Sequence, residues 1–192
     1  MRKLFLCLFS ICFLNSESKA QFADDELPAI TGTNTRAFFI PATVCAKFKV
    51  NFDKSDLWMR SYSNNGNDAK LQQVFDIRWK AFSNQHAMDW YKSHTELLSE
   101  KGTDIMVDFP KPGGVNAWNV YEASADVKKT METLGMKQNQ YTFTFVVDKY
   151  VAKIFVGGND ATSAQESWNF VKEGVKAVLR ASGKQKLALL IR

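Results

Sequence analysis

YTFTFVVDKYVAKIFV, residues 141–156, decides the fold. Tyr141, Phe143, Phe145 and Val147 alternate with Thr142 and Thr144, the two-residue period of a strand with distinct faces. Asp148-Lys149 then turns the chain into a second apolar run, Tyr150 to Val156, so the stretch predicts a β-hairpin.

Downstream of the hairpin, Gly157-Gly158-Asn159-Asp160 forms a loop. Ser163 with Glu166 is a capping-box pattern that opens a helix. Trp168, Val171, Val175 and Val178 make its apolar stripe, and Gly183 ends it. Residues 187–191 form a short apolar tail with no evident partner.

Upstream, Ala46, Phe48, Val50 and Phe52 alternate with Lys47, Lys49 and Asn51, which predicts a strand. A second strand is expected over 57–62 and a turn at Asn64-Asn65-Gly66-Asn67-Asp68. A third strand places Phe75, Ile77, Trp79 and Ala81 inward and Asp76, Arg78 and Lys80 outward. Asn84 caps a helix expected to reach Lys101, with Ala87, Trp90, Tyr91, His94, Leu97 and Leu98 on one arc. Ile105, Val107 and Phe109 mark the next strand, and residues 118–123 another. Residues 125–140 fit a short helix or an extended piece. Strands joined by short turns imply an antiparallel sheet, so the fold class is α+β: a mainly antiparallel sheet with two amphipathic helices packed on it.

In element order the hairpin, the loop and the terminal helix with Trp168 and Phe170 resemble the Mog1/PsbP-like α/β/α sandwich. The amphipathic helix followed by a strand over 84–109 suits it as well. No family motif is matched residue by residue, so the resemblance assigns no site residue. It implies a binding or assembly role rather than an enzyme.

The chain begins as an address. Arg2 and Lys3 precede an apolar run from Leu4 to Leu14, and Ser18 and Ala20 are small residues suited to a cut before Gln21. Residues 1–20 therefore read as a signal peptide, 21–36 as a flexible lead-in, 37–183 as one α+β domain and 184–192 as a tail. The expected location is secreted or periplasmic, with no transmembrane segment after cleavage. Of the 3 cysteines, Cys7 and Cys12 fall within the signal, leaving Cys45 and no internal disulfide.

The formal net charge of +5 drops once Arg2, Lys3, Lys19 and Glu17 leave. Lys184, Lys186 and Arg192 sit in the tail, so the body is near neutral and carries no nucleic-acid footprint.

Chemistry-bearing residues are few. His86 and His94 are eight apart, not the i, i+4 of a zinc helix, and no metal or cofactor is expected. His94 falls on the apolar arc and reads as a core histidine. Cys45 with His86 would be a thiol nucleophile and base if the fold brought them together. Asp104 and Asp108 read as solvated strand ends. Gly157, Gly158 and Asn159, ahead of a helix, would offer backbone N–H groups to an anionic ligand. The expected function is an exported, non-enzymatic binding or accessory protein with a protein partner or a small apolar ligand. The alternatives are a secreted hydrolase using Cys45, His86 or the carboxylates, and an envelope immunity-type protein.

Overall fold

A computed structural model describes residues 49–54, 59–63, 71–101, 104–133, 139–159 and 162–192. Cys45, the residues read as signal (1–20) and lead-in (21–36) and the turn expected at 64–68 lie outside them. Among the described residues seven strands form one antiparallel sheet: β1 (Lys49–Lys54), β2 (Met59–Ser63), β3 (Leu71–Lys80), β4 (Asp104–Val107), β5 (Ala117–Ala123), β6 (Asn139–Val147) and β7 (Tyr150–Gly158). Their order across the sheet is β1-β2-β3-β7-β6-β5-β4. The helices are α1 (Asn84–Lys101), α2 (Ala125–Thr133), α3 (Ala164–Ala181) and the single turn α4 (Gln185–Ala188). The fold is thus α+β, with residues 125–133 helical. Among the described residues no helix is long and apolar enough to cross a membrane.

The β6–β7 hairpin is the centre of the sheet. Its two strands pair from Asn139 opposite Gly158 to Val147 opposite Tyr150. Asp148 takes a left-handed φ of 52°, which an Asp tolerates in a tight turn, and its N–H donates to Asn116 Oδ1 at 2.7 Å.

The two faces of the hairpin have separate covers. On one face Phe143, Phe145, Ala152, Ile154 and Val156 meet Phe170, Val171, Val175, Val178 and Leu179 of α3. Trp118 packs there against Phe143, Phe145 and Trp168, and its indole N–H donates to Phe109 C=O at 3.2 Å. On the other face Ala117, Val146 and Val151 meet Ala87 and Tyr91 of α1, with Trp79 and Trp90 edge to face at 4.5 Å. Each fully buried Val, Ile or Phe contributes about 1.5–3 kcal/mol by leaving water, so these two layers dominate the stability.

The caps follow the sequence closely. Ser163 Oγ accepts from Glu166 N–H and opens α3. For α1 the capping hydroxyl is Ser83, one residue before Asn84: its Oγ accepts from His86 N–H at 3.1 Å. Gly183 has a φ of 82° and ends α3, where Lys184 N–H donates back to Leu179 C=O. The tail has a partner after all. Ala188 and Ile191 enter the α3-side core, and Trp168 Nε1 donates to Arg192 C=O.

One expectation about β3 is corrected. Asp76 and Arg78 do not face solvent; they are 0% and 2% exposed. The register sets Asp76 opposite Ile154 and Arg78 opposite Ala152, on the α3 side of a sheet covered on both faces. Arg78 Nε and Nη2 donate to the two Asp76 carboxylate oxygens at 2.7 and 2.5 Å, and the fork compensates part of the desolvation.

Candidate functional site

On the α1 side, polar residues form a seam through an otherwise apolar layer. Lys153 of β7 stands opposite Thr144 of β6, which stands opposite Asn119 of β5, so the three side chains share a face in one row. The next row carries Phe155, Thr142, Tyr121 and Met106. Asp104 lies opposite Ala123, on that same face at the β4 edge.

Lys153 is the centre of the seam and is 6% exposed. Its Nζ lies 2.9 Å from His94 Nε2 of α1, and 4.8 Å from the centroid of the Phe155 ring. An ammonium has no lone pair, so whenever Lys153 is charged the imidazole nitrogen is the acceptor and His94 carries its proton on Nδ1. The His94 ring is fixed by stacking on Trp90, with centroids 4.7 Å apart and planes inclined by 15°.

Among the described residues Lys153 has no ion pair. Burial pushes its ammonium down to about 8, and the negative charge of Asp104 opposes that shift. Burial likewise pushes the Asp104 carboxyl up, against the pull of Lys153. Asp104 is therefore not a solvated strand end: its register turns it onto the α1-covered face, whereas Asp108 lies past the end of β4 and is exposed.

The polar neighbours are unevenly satisfied. Asn119 Nδ2 donates to Tyr121 Oη at 3.2 Å. Burial raises the Tyr121 phenol, opposed by that hydrogen bond, and burial also raises the Tyr91 phenol with Tyr121 adding to it. The Thr144 hydroxyl is fully buried and, among the described residues, has no hydrogen-bond partner. A buried unpaired hydroxyl costs about 1–3 kcal/mol. It stands directly across the ladder from the buried ammonium.

The residues expected from sequence lie elsewhere. His86 stacks on Phe82 in the first turn of α1, two turns before His94. Cys45 lies outside the described residues. Gly157 and Gly158 are the end of β7, paired with β3 on one side and with Gln140 and Asn139 of β6 on the other. Asn159 C=O accepts from Thr162 N–H. Among the described residues no group of three or more His, Cys, Asp or Glu could hold a metal ion.

Lys153, Thr144, Asn119, Tyr121 and Asp104 were not singled out as a site from sequence. The available signal was one lysine inside the apolar run VAKIFV, with a threonine at the matching place in the facing strand. The chain matches no family model, no curated protein and no solved structure.

Proposed function

We propose that the protein is an exported, non-enzymatic binding protein whose ligand is a small apolar molecule bearing one carboxylate. The observation that carries this reading is the buried Lys153 ammonium, in contact with the His94 imidazole and facing a Thr144 hydroxyl that has no hydrogen-bond partner among the described residues. A carboxylate there would accept from Lys153 and from Thr144 at once, supplying a counter-charge to the amine and a partner to the hydroxyl. Such charge-assisted hydrogen bonds contribute about 1.5–3 kcal/mol each. Phe155 and Met106 occupy the adjoining row, and Met106 is 67% exposed, so an apolar body would lie along them. Export rests on Arg2-Lys3, the apolar run to Leu14 and Ser18-Lys19-Ala20.

Native mass spectrometry of the protein from its producing organism tests this. A small-molecule adduct is expected on the wild type and absent from Lys153→Met. Titration with that molecule and its neutral amide should show the amide weaker by about tenfold or more. Equal binding of acid and amide, or an adduct kept by Lys153→Met, overturns the reading.

A hydrolase is the second reading. It is favoured by the Lys153–His94 contact, with the charge of Asp104 acting on the amine from the same face and the amine brought near neutral pH. It differs in outcome: the bound molecule would be turned over by the wild type and left intact by Lys153→Met.

A further inference from the structure

Residues 179–192 carry exposed apolar and exposed cationic side chains close together in sequence. Leu189 and Leu190 are 82% and 71% exposed, the most exposed large apolar side chains among the described residues. They do not sit on a loose tail. Ala188 before them and Ile191 after them are in the core, and the Trp168 indole holds Arg192 C=O. The two leucines are therefore presented outward by a fixed turn. Around them the sequence is purely cationic: from Leu179 to Arg192 it contains Arg180, Lys184, Lys186 and Arg192 and no acidic residue. Lys184 is engaged by Asp148 at 2.8 Å, while Arg180, Lys186 and Arg192 are exposed.

Exposed leucines alone would suit any apolar partner. The flanking cations narrow the choice. Anionic lipid headgroups attract lysine and arginine, and leucine side chains beside them enter the boundary between headgroups and acyl chains.

We infer that the C-terminal segment docks the protein on an anionic lipid surface through Leu189, Leu190, Arg180, Lys186 and Arg192. This contact is peripheral and reversible, and it is independent of the α1-side seam.

The test is co-sedimentation of the protein, secreted by its expression host and with its N-terminus read by mass, with vesicles. One set contains phosphatidylglycerol and phosphatidylcholine in equal parts, and the other phosphatidylcholine alone. Binding is expected on the anionic vesicles, falling with added salt and weaker by about tenfold or more on the neutral ones. Changing Leu189→Ser and Leu190→Ser together should abolish it while the circular dichroism and unfolding midpoint stay unchanged, since both side chains are exposed. Lys186→Glu should weaken it without touching the leucines. The inference is overturned if the wild type does not sediment with anionic vesicles at low salt, or if the double variant sediments as well as the wild type. It is also overturned if the leucines govern self-association seen without vesicles, which would make the face a contact between copies of the chain.

Discussion

The Lys153 ammonium and the His94 imidazole, 59 residues apart in sequence, meet at 2.9 Å beneath α1. A buried lysine normally pairs with a carboxylate; this one meets an imidazole. The consequence is an amine whose charge is costly to keep and easy to remove.

Stability should therefore depend on pH through Lys153. Its folded-state value of about 8 lies below its ordinary 10.5. Below pH 8 both folded and unfolded chains are protonated, and the full cost of burying the charge is present. Between pH 8 and 10.5 the unfolded chain binds more protons, so this group's contribution to stability rises with pH. Above 10.5 both states are neutral and the cost is gone. The rise amounts to about 3 kcal/mol. Lys153→Met should remove it and be more stable than the wild type at pH 7. Denaturant unfolding of both proteins from pH 7 to 10 checks this, and parallel curves would contradict it.

His94→Leu should act through the same amine. It removes the acceptor and leaves the ammonium buried alone, a cost of about 1–3 kcal/mol below pH 8. The cost should shrink above pH 8, where the neutral amine needs no acceptor. The Lys153 titration, followed by NMR of its side-chain carbon, should move below the wild-type value. A pH-independent cost would instead mean lost stacking on Trp90.

Asp104→Asn should move Lys153 in the same direction by a different cause. The Asp104 charge raises the Lys153 value. An amide there keeps the shape and removes the charge, so the amine should titrate lower still. The same NMR titration reads it, and an unmoved Lys153 would show that the two groups do not interact.

How legible these features were depends on the distance of their causes. The β6–β7 hairpin and the capping of α3 by Ser163 are set by neighbours in sequence, and both stand where the pattern put them. The outward face of β3 was misread because alternation marks two faces without saying that either meets water. With α1 and α3 on opposite sides of the sheet, Asp76 and Arg78 are buried too. His94 was rightly placed on the helix arc facing the sheet, yet its partner is fixed only by the strand register. Asp104 shows the same limit: a carboxylate at a strand start looks solvated until pairing with Ala123 sets which way it faces.

Gly114 offers a sharp backbone test. It has a φ of 84°, and an added Cβ would lie 2.7 Å from Leu187 Cδ1 and 3.0 Å from Leu179 Cδ2. Gly114→Ala should cost about 1–3 kcal/mol, part from the left-handed backbone and part from displacing Leu187. Gly113, next in the same turn, has nothing within 4 Å of an added Cβ and no positive φ. Gly113→Ala should therefore be close to neutral. Equal unfolding midpoints for the two variants would contradict the tail's close packing on this turn.

The Asp76–Arg78 pair should show strong coupling in a double-mutant cycle. Both side chains are buried, and a fork of two short hydrogen bonds joins them. Asp76→Leu alone leaves a guanidinium in the α3-side layer with one nitrogen, Nη1, already unpartnered. Arg78→Met alone leaves a buried carboxylate. Asp76→Leu should cost about 3–5 kcal/mol, because it leaves the guanidinium uncompensated out of water. The double variant Asp76→Leu with Arg78→Met removes both charges and replaces them with apolar volume. It should recover most of the loss, since apolar replacement of a buried pair is often neutral or stabilising. Chemical unfolding of the four proteins gives the cycle. Singly changed proteins within about 1 kcal/mol of the wild type would mean that water reaches the pair and that the sheet is not closed on this side.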